Sequence, residues 1–330
     1  MATCDIVIPY FQRKPGVLGQ GLRSILDQSF TDYRVLIVDD GSPHPAEAEL
    51  AGLDPAERGR FQIVKKANGG VSSARNAGLD AVSKDARMVA FLDSDDVWTP
   101  EHLMRAHAAV VGLGADVFWD ALTPDEAFGS FRPPSVTIPE RMRRPEPRIS
   151  RGYAIDNLAK VMTGQWFRHM HLSCTAVSAK VAGKVRFHDG RNICEDLEYY
   201  CLCAEVAALS IASDEPGTVR GAGENLWHGV DFFDPRTAVE RLTTMKLLKT
   251  LRRSPQLDEG DRDLVDLRIQ EAREQFYWIG RDRLKAGKPP DFKLWADWLK
   301  SDPEMAGAAA SILFKTSPTG GRTRIPGDDV

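Results

Sequence analysis

Two hydrophobic rhythms alternate along the N-terminal part of the chain. Short unbroken apolar blocks occur at DIVIP (5–9), YRVLIVDDGS (33–42), FQIVKK (61–66) and ARMVAFLD (86–93). Between them, apolar residues return at helical spacing: Leu18, Leu22, Ile25 and Leu26 in LGQGLRSILDQSF, and Ala74, Ala77, Leu79 and Ala81 in VSSARNAGLDAVSK, where Ser72 or Ser73 suits an N-cap. Residues 46–58 also read as helical. Unbroken strands are those buried on both faces. The pattern therefore predicts an α/β fold, a mostly parallel sheet with helices on both faces.

Beyond residue 235 the rhythm changes. PRTAVERLTTMKLLKTLRR, GDRDLVDLRIQEAREQFYWIGRDRLKAG and FKLWADWLK carry apolar stripes at helical spacing. They predict a helical C-terminal annex over 236–315, following a first domain over 1–235. The tail 316–330, TSPTGGRTRIPGDDV, has no such stripe and is expected to be disordered.

Composition narrows the function classes. The 330 residues are 42% hydrophobic and 27% charged, with a net charge of -4. That balance is ordinary for a globular protein and offers no electrostatic case for nucleic acid. The five cysteines show no framework or zinc spacing, which points to reduced thiols and a cytoplasmic location. The opening MATCDIVIPYF lacks a basic segment before its apolar stretch, so a signal peptide is not expected. No apolar run approaches the ~18 residues of a membrane span.

Two apolar blocks end abruptly in acids. YRVLIVDDGS supplies Asp39 and Asp40; FLDSDDVW supplies Asp93, Asp95 and Asp96. Ligands of open α/β sheets bind beyond the carboxyl ends of the strands, so both clusters should share one rim. Carboxylates crowded on one rim need cations or hydrogen-bond donors. Oxygen ligands without accompanying His or Cys favour Mg²⁺ or Mn²⁺, which usually also bind substrate phosphate. The plain alternative is a solvated acidic turn that caps a helix, with Asp96 near its start.

DIVIPYF, SILDQSFTDYRVLIVDDGS, NGGVSSARNAGL and FLDSDDVWTPEHL, in this order, resemble the family 2 glycosyltransferases of GT-A fold. The resemblance is close over about residues 1–110 and recognisable to about 205. It implies that 1–235 is the catalytic domain of an inverting, metal-dependent transferase acting on a nucleotide sugar, UDP-linked by expectation. It implies that Asp40 meets the nucleotide base, that a loop at Pro9 and Tyr10 lines base and ribose, and that LDSDD is the D-x-D motif. In that motif Asp93 points toward ribose, Ser94 contributes by its backbone, and Asp95 holds the metal, with Asp93 beside it. Asp96 reads as a helix-start acid. Asn68 and Gly70 would allow close approach to the donor. Arg75 would touch the diphosphate or neutralise the rim. An acceptor hydroxyl must lose its proton during attack, and the E-D pair of RNICEDLEYY makes Asp196 the general base with Glu195 as neighbour. His228 is a candidate for the metal or phosphate.

Departures from the family pattern shape the acceptor reading. There is no Q-x-x-R-W after the E-D pair, so single-residue, non-processive transfer is expected. A saccharide or lipid-linked saccharide acceptor is expected over residues 120–175, with Trp119, Trp166 and Phe167 for sugar rings. Arg143 and Arg144 of ERMRRPEPRISRG would meet phosphates or the inner membrane face, with MKLLKTLRR as a second peripheral membrane contact. Bacterial surface polysaccharide or glycolipid assembly is the implied setting. Two other functions compete. DSDDV also fits a haloacid-dehalogenase-type phosphohydrolase, but that fold places the motif on its first strand. A degenerate, sugar-nucleotide-binding scaffold conflicts with the intact acids at 93, 95 and 196.

Overall fold

The structure, a computed structural model, describes residues 2–123, 132–163, 170–190, 193–221, 235–289 and 291–307. The chain divides into two compact units, Met1–Glu224 and Asn225–Val330.

In the first unit the unbroken apolar blocks become strands: β1 (Cys4–Tyr10), β2 (Tyr33–Asp39), β3 (Phe61–Lys65) and β4 (Met88–Phe91). These four are parallel neighbours in the order β3-β2-β1-β4. The sheet continues through β9 (Thr175–Ser178), β6 (Val117–Leu122), β10 (Ser210–Val219), β8 (Gly152–Ile155) and β7 (Arg144–Glu146), and a short β5 (Val97–Trp98) pairs with β10. Antiparallel joints enter from β9 onward, so the sheet is parallel where the nucleotide-binding pattern was read and mixed beyond it.

Burial explains the unbroken strands. Every residue of β1 and β4 is buried. One sheet face packs on the helix Gly19–Leu26, which contributes Leu22 and Ile25 to the core with Ile6, Ile8, Val35 and Ile37. The other receives the helix Val71–Asp80, where Gly78 lies close against Val7 and Val38. That helix is capped by Gly70 rather than by Ser72 or Ser73; Ser72 is itself buried in its first turn. Register brings Tyr10 level with Asp39, and Val7 level with Phe91. Both acid clusters therefore lie at the same, carboxyl-terminal edge.

In the second unit the helices Pro235–Leu251, Glu259–Lys285 and Phe292–Ser301 share a core that includes Met245, Leu248, Phe276 and Trp298. Buried Asp302 ties them through Arg273 at 2.6 Å and Lys249 at 2.7 Å. MKLLKTLRR is not a membrane contact here. Its apolar residues fill this core, and Lys249 and Arg252 pair with Asp302 and Asp266. Among the described residues no helix is long and apolar enough to cross a membrane.

Asp5 in β1 is fully buried and depends on Arg34, which binds it at 2.6 and 3.0 Å, and on the Ser83 amide. Removing one partner of a buried pair strands the other charge. Arg34→Ala should cost about 3–5 kcal/mol in urea unfolding near neutral pH, and adding Asp5→Leu should recover most of it. A loss under about 1 kcal/mol would show that water reaches Asp5.

Candidate active site

The loop after β4 carries the D-x-D acids. The Leu92 amide still bonds to Val7, and the Asp96 amide then closes a turn onto the Asp93 carbonyl. The chain next enters β5, whose Val97 and Trp98 pair with Val219 and Thr218. Asp96 is therefore not a helix-start acid, since the following helix begins only at His102. Pairing with β10 draws the segment into a strand and leaves the Asp96 carboxylate 2% exposed. It accepts from Ser173 Oγ at 2.6 Å and from the Gly221 amide at 2.9 Å, with His171 Nδ1 at 3.7 Å. Gly221 is required for this approach: a Cβ there would lie 1.6 Å from the Asp95 carbonyl oxygen.

Ser173 is the hub of the loop. Its hydroxyl also accepts from the Asp93 amide at 3.0 Å, and its carbonyl accepts from Trp98 Nε1 and Thr218 Oγ1. A second tie comes from the β1 loop. Gln12 Nε2 donates to Ser94 Oγ at 2.9 Å, while the Gln12 backbone exchanges bonds with Ser42 after β2.

Arg75 is 4% exposed and spans the site. One Nη donates to Asp93 at 2.7 Å and the other to Glu195 at 3.0 Å, with the guanidinium 5.2 Å above the Phe187 ring. Phe187 in turn stacks on Tyr199 of the helix Glu195–Val206 at 4.1 Å. Two of the five guanidinium N–H donors thus go to carboxylates, the rim-neutralising one of the two expected roles of Arg75.

At the other end of the rim, Asp40 is buried and highly organised. It accepts from Lys66 Nζ at 2.5 Å, from the Gly70 amide at 2.8 Å and from the Gly69 amide, while Asn68 Nδ2 donates to the Asp40 carbonyl. A carboxylate has about four lone-pair sites, so one more donor can join. Asp39 is structural, accepting from the Ser42 and Ala46 amides. Pro9 and Tyr10 are not a loop. Both are buried strand residues, and the Tyr10 hydroxyl reaches Glu49. The period-2 direction of β1 turns the Tyr10 ring into the core, so it cannot line a base; Phe11, 39% exposed, is the next aromatic.

Charge is unevenly balanced. Burial pushes the Asp93 carboxyl up, but Arg75, followed by His171, outweighs it and holds Asp93 below its ordinary value. Asp95 lacks the arginine and, despite the pull of His171, is pushed up to about 6 by burial, then by Asp96 and Asp93. Asp96 is pushed up to about 6 by burial and Asp93. Asp196 is pushed up to about 6 by burial and then by Glu195. Burial holds the His171 imidazole low against the pull of Asp93 and Asp196.

This uncompensated charge suits a divalent cation. Among the described residues, Asp93, Asp96 and His171 bring ligand atoms within 4.8 Å of one another. Asp95, the expected ligand, is outside that trio and lies beside it in the same turn. His228, Trp166 and Phe167 fall outside the described residues. Trp119 is fully buried in β6 and offers no face to a sugar. Arg143 donates to the Ile138 and Ser135 carbonyls and covers Tyr153, and Arg144 of β7 pairs with Asp156, at the opposite sheet edge from β1–β4. Arg148 and Arg151 pair with Glu146 and Asp214.

The family model for glycosyl transferase family 2 matches residues 5–175, which hold the parallel strands and both acid clusters. The chain belongs to glycosyl transferase family 2. This family 2 glycosyltransferase is 37% identical over 320 residues to the succinoglycan biosynthesis protein ExoW of Rhizobium meliloti, covering 94% of this chain and 98% of that one. It is also 36% identical over 88 residues to an uncharacterized glycosyltransferase of Nostoc, 27% of each chain. Its GT-A fold superposes on residues 1–349 of S. aureus TarS in complex with UDP-GlcNAc, with TM-score 0.61 and 15% identity over 94% of this chain and 82% of that one. It also superposes on the Pyrobaculum calidifontis mannosyltransferase PcManGT in complex with GDP-Man and Mn²⁺, with TM-score 0.55 and 13% identity over 96% and 88%.

Ser173, His171, Gln12 and Gly221 carry no local sequence signal for the site. Ser173→Ala should strip the Asp93 amide and the Asp96 carboxylate of a partner, at about 1–3 kcal/mol for a buried group. The KM for nucleotide sugar should rise about tenfold with a smaller change in kcat, and the thermal midpoint should fall. An unchanged donor KM would mean that the loop holds its shape without Ser173.

Proposed function

We propose that the enzyme moves a single sugar from a UDP-linked donor to a saccharide hydroxyl with inversion, in surface polysaccharide assembly. The similarity to ExoW and the UDP-GlcNAc complex of TarS support the donor and the setting. One observation carries the mechanism: of the adjacent acids Glu195 and Asp196, the first is committed to Arg75 and the second is not.

The pair sits at the start of the helix Glu195–Val206, behind Cys194 at φ +58, a left-handed conformation rare outside glycine. Such backbone strain is typical of functional positions. Asp196 accepts from the Leu197 amide, and its pKa near 6 makes it a stronger base than an ordinary aspartate. It takes the acceptor proton as the hydroxyl attacks the anomeric carbon, and the nucleoside diphosphate leaves from the opposite face. Asp40 takes a base N–H on its remaining lone pair. Mn²⁺ or Mg²⁺ would be held by Asp95 and Asp93, with Asp96 and His171 alongside. When bound, it supplies positive charge for the diphosphate leaving group. The acceptor is a saccharide, and the involvement of a lipid carrier is independent of Arg143 and Arg144.

Asp196→Asn should lower kcat by about 10²–10⁴-fold with donor affinity retained. Glu195→Gln should instead loosen Arg75 and act mainly on donor KM. In the wild type, kcat/KM should fall as pH drops through about 6, because the base works only deprotonated. The same raised pKa means that the charged form costs stability above about pH 6, so Asp196→Asn should unfold at or above the wild-type temperature near neutral pH. An active Asp196→Asn beside an inactive Glu195→Gln would reverse the assignment, and a retained anomeric configuration would exclude it.

A further inference from the structure

The helix Glu259–Lys285 and the helix Phe292–Ser301 form an antiparallel hairpin. Phe276 meets Trp295 and Trp298 at 4.8 and 4.0 Å, and Arg273 meets Asp302 further along. This pairing sets Leu284 and Phe292 at the same end. The turn between the helices is fixed by a Schellman motif: the Gly287 amide bonds to Leu284, the Lys288 amide to Arg283, and Gly287 sits at φ +68.

The tip so formed breaks two habits of a folded surface. Leu284 is 56% exposed and Phe292 is 76% exposed, whereas Phe276, Trp278 and Trp298 of the same hairpin are buried. The motif usually closes with an apolar contact between the residues that are here Arg283 and Lys288. Along 283–293 Arg283, Lys285, Lys288 and Lys293 stand against a single acid, Asp291, which caps the second helix through the Leu294 amide. Two exposed apolar side chains within a net-cationic stretch match the anionic interface of a bilayer. The apolar side chains enter the acyl boundary while the cationic groups stay at headgroup level.

We propose that this hairpin tip, residues 283–289 and 291–293, is a peripheral docking surface for anionic membrane. The inference is independent of the donor and acceptor reading above. It is separate from the basic loop, where Arg144 and Arg148 pair with acids, and from MKLLKTLRR, where Lys249 and Arg252 do.

The full chain should cosediment with vesicles of equimolar phosphatidylglycerol and phosphatidylcholine, and at least about tenfold less with phosphatidylcholine alone, each lysine at the surface contributing about fivefold. Leu284→Ser with Phe292→Ser should reduce partitioning at least about tenfold at an unchanged thermal midpoint. Lys285→Gln, Lys288→Gln and Lys293→Gln together should do the same, whereas Lys84→Gln with Lys184→Gln, exposed elsewhere, should leave it intact. Equal partitioning of wild type and tip variants would overturn the proposal. So would a concentration-dependent dimer in light scattering that Phe292→Ser abolishes, since the tip would then be a contact between copies of the chain.

Discussion

A single buried guanidinium holds the catalytic edge together. Arg75 enters from the helix Val71–Asp80, binds Asp93 from the end of β4, and binds Glu195 from a helix 120 residues later. It joins the D-x-D loop to the helix that carries Glu195 and Asp196. Burial alone would lower its pKa, but Asp93 and Glu195 outweigh that and keep it charged. Its choice of partners also divides labour among the acids. Asp93 and Glu195 are compensated, while Asp95, Asp96 and Asp196 are left with raised pKa values. The first two can be relieved by a cation, and the third is a usable base.

The rest of the first unit serves to keep this charge distribution in place. The parallel register of β1, β2 and β4 sets the two acid clusters along one edge. The pairing of β5 with β10 then closes the loop from the far side of the sheet. Ser173, immediately before β9, and Gly221, just past β10, meet on Asp96. Gln12 couples the loop to the Asp39–Ser42 turn, so the two ends of the rim are not adjusted independently.

Much of this edge was legible in the sequence because its acids end continuous apolar strands and lie within a few residues of one another. The four parallel strands, the helices at 19–26 and 71–80, and the shared rim all follow from local pattern. What escaped has a common physical cause. Asp96 was read from its neighbours as a helix start, yet its environment is made by Ser173 and Gly221, 77 and 125 positions away. Tyr10 is placed in a base-lining loop by the family resemblance, but β1 runs through both Pro9 and Tyr10. The arginines of 143–151 read as a patch because Asp156 and Asp214, which pair with Arg144 and Arg151, lie outside the motif. MKLLKTLRR looked amphipathic toward a membrane because burial against a neighbouring helix leaves the same stripe.

In the proposed function, the negative charge remaining after Arg75 is satisfied receives a cation together with a nucleoside diphosphate. Titration calorimetry of UDP into the full chain near neutral pH addresses it directly, once with Mn²⁺ and once with EDTA. Binding should be at least about tenfold tighter with Mn²⁺, a difference of about 1.4 kcal/mol, and Asp95→Ala should lose that gain. Equal affinity in Mn²⁺ and EDTA, with Asp95→Ala indistinguishable from wild type, would contradict it.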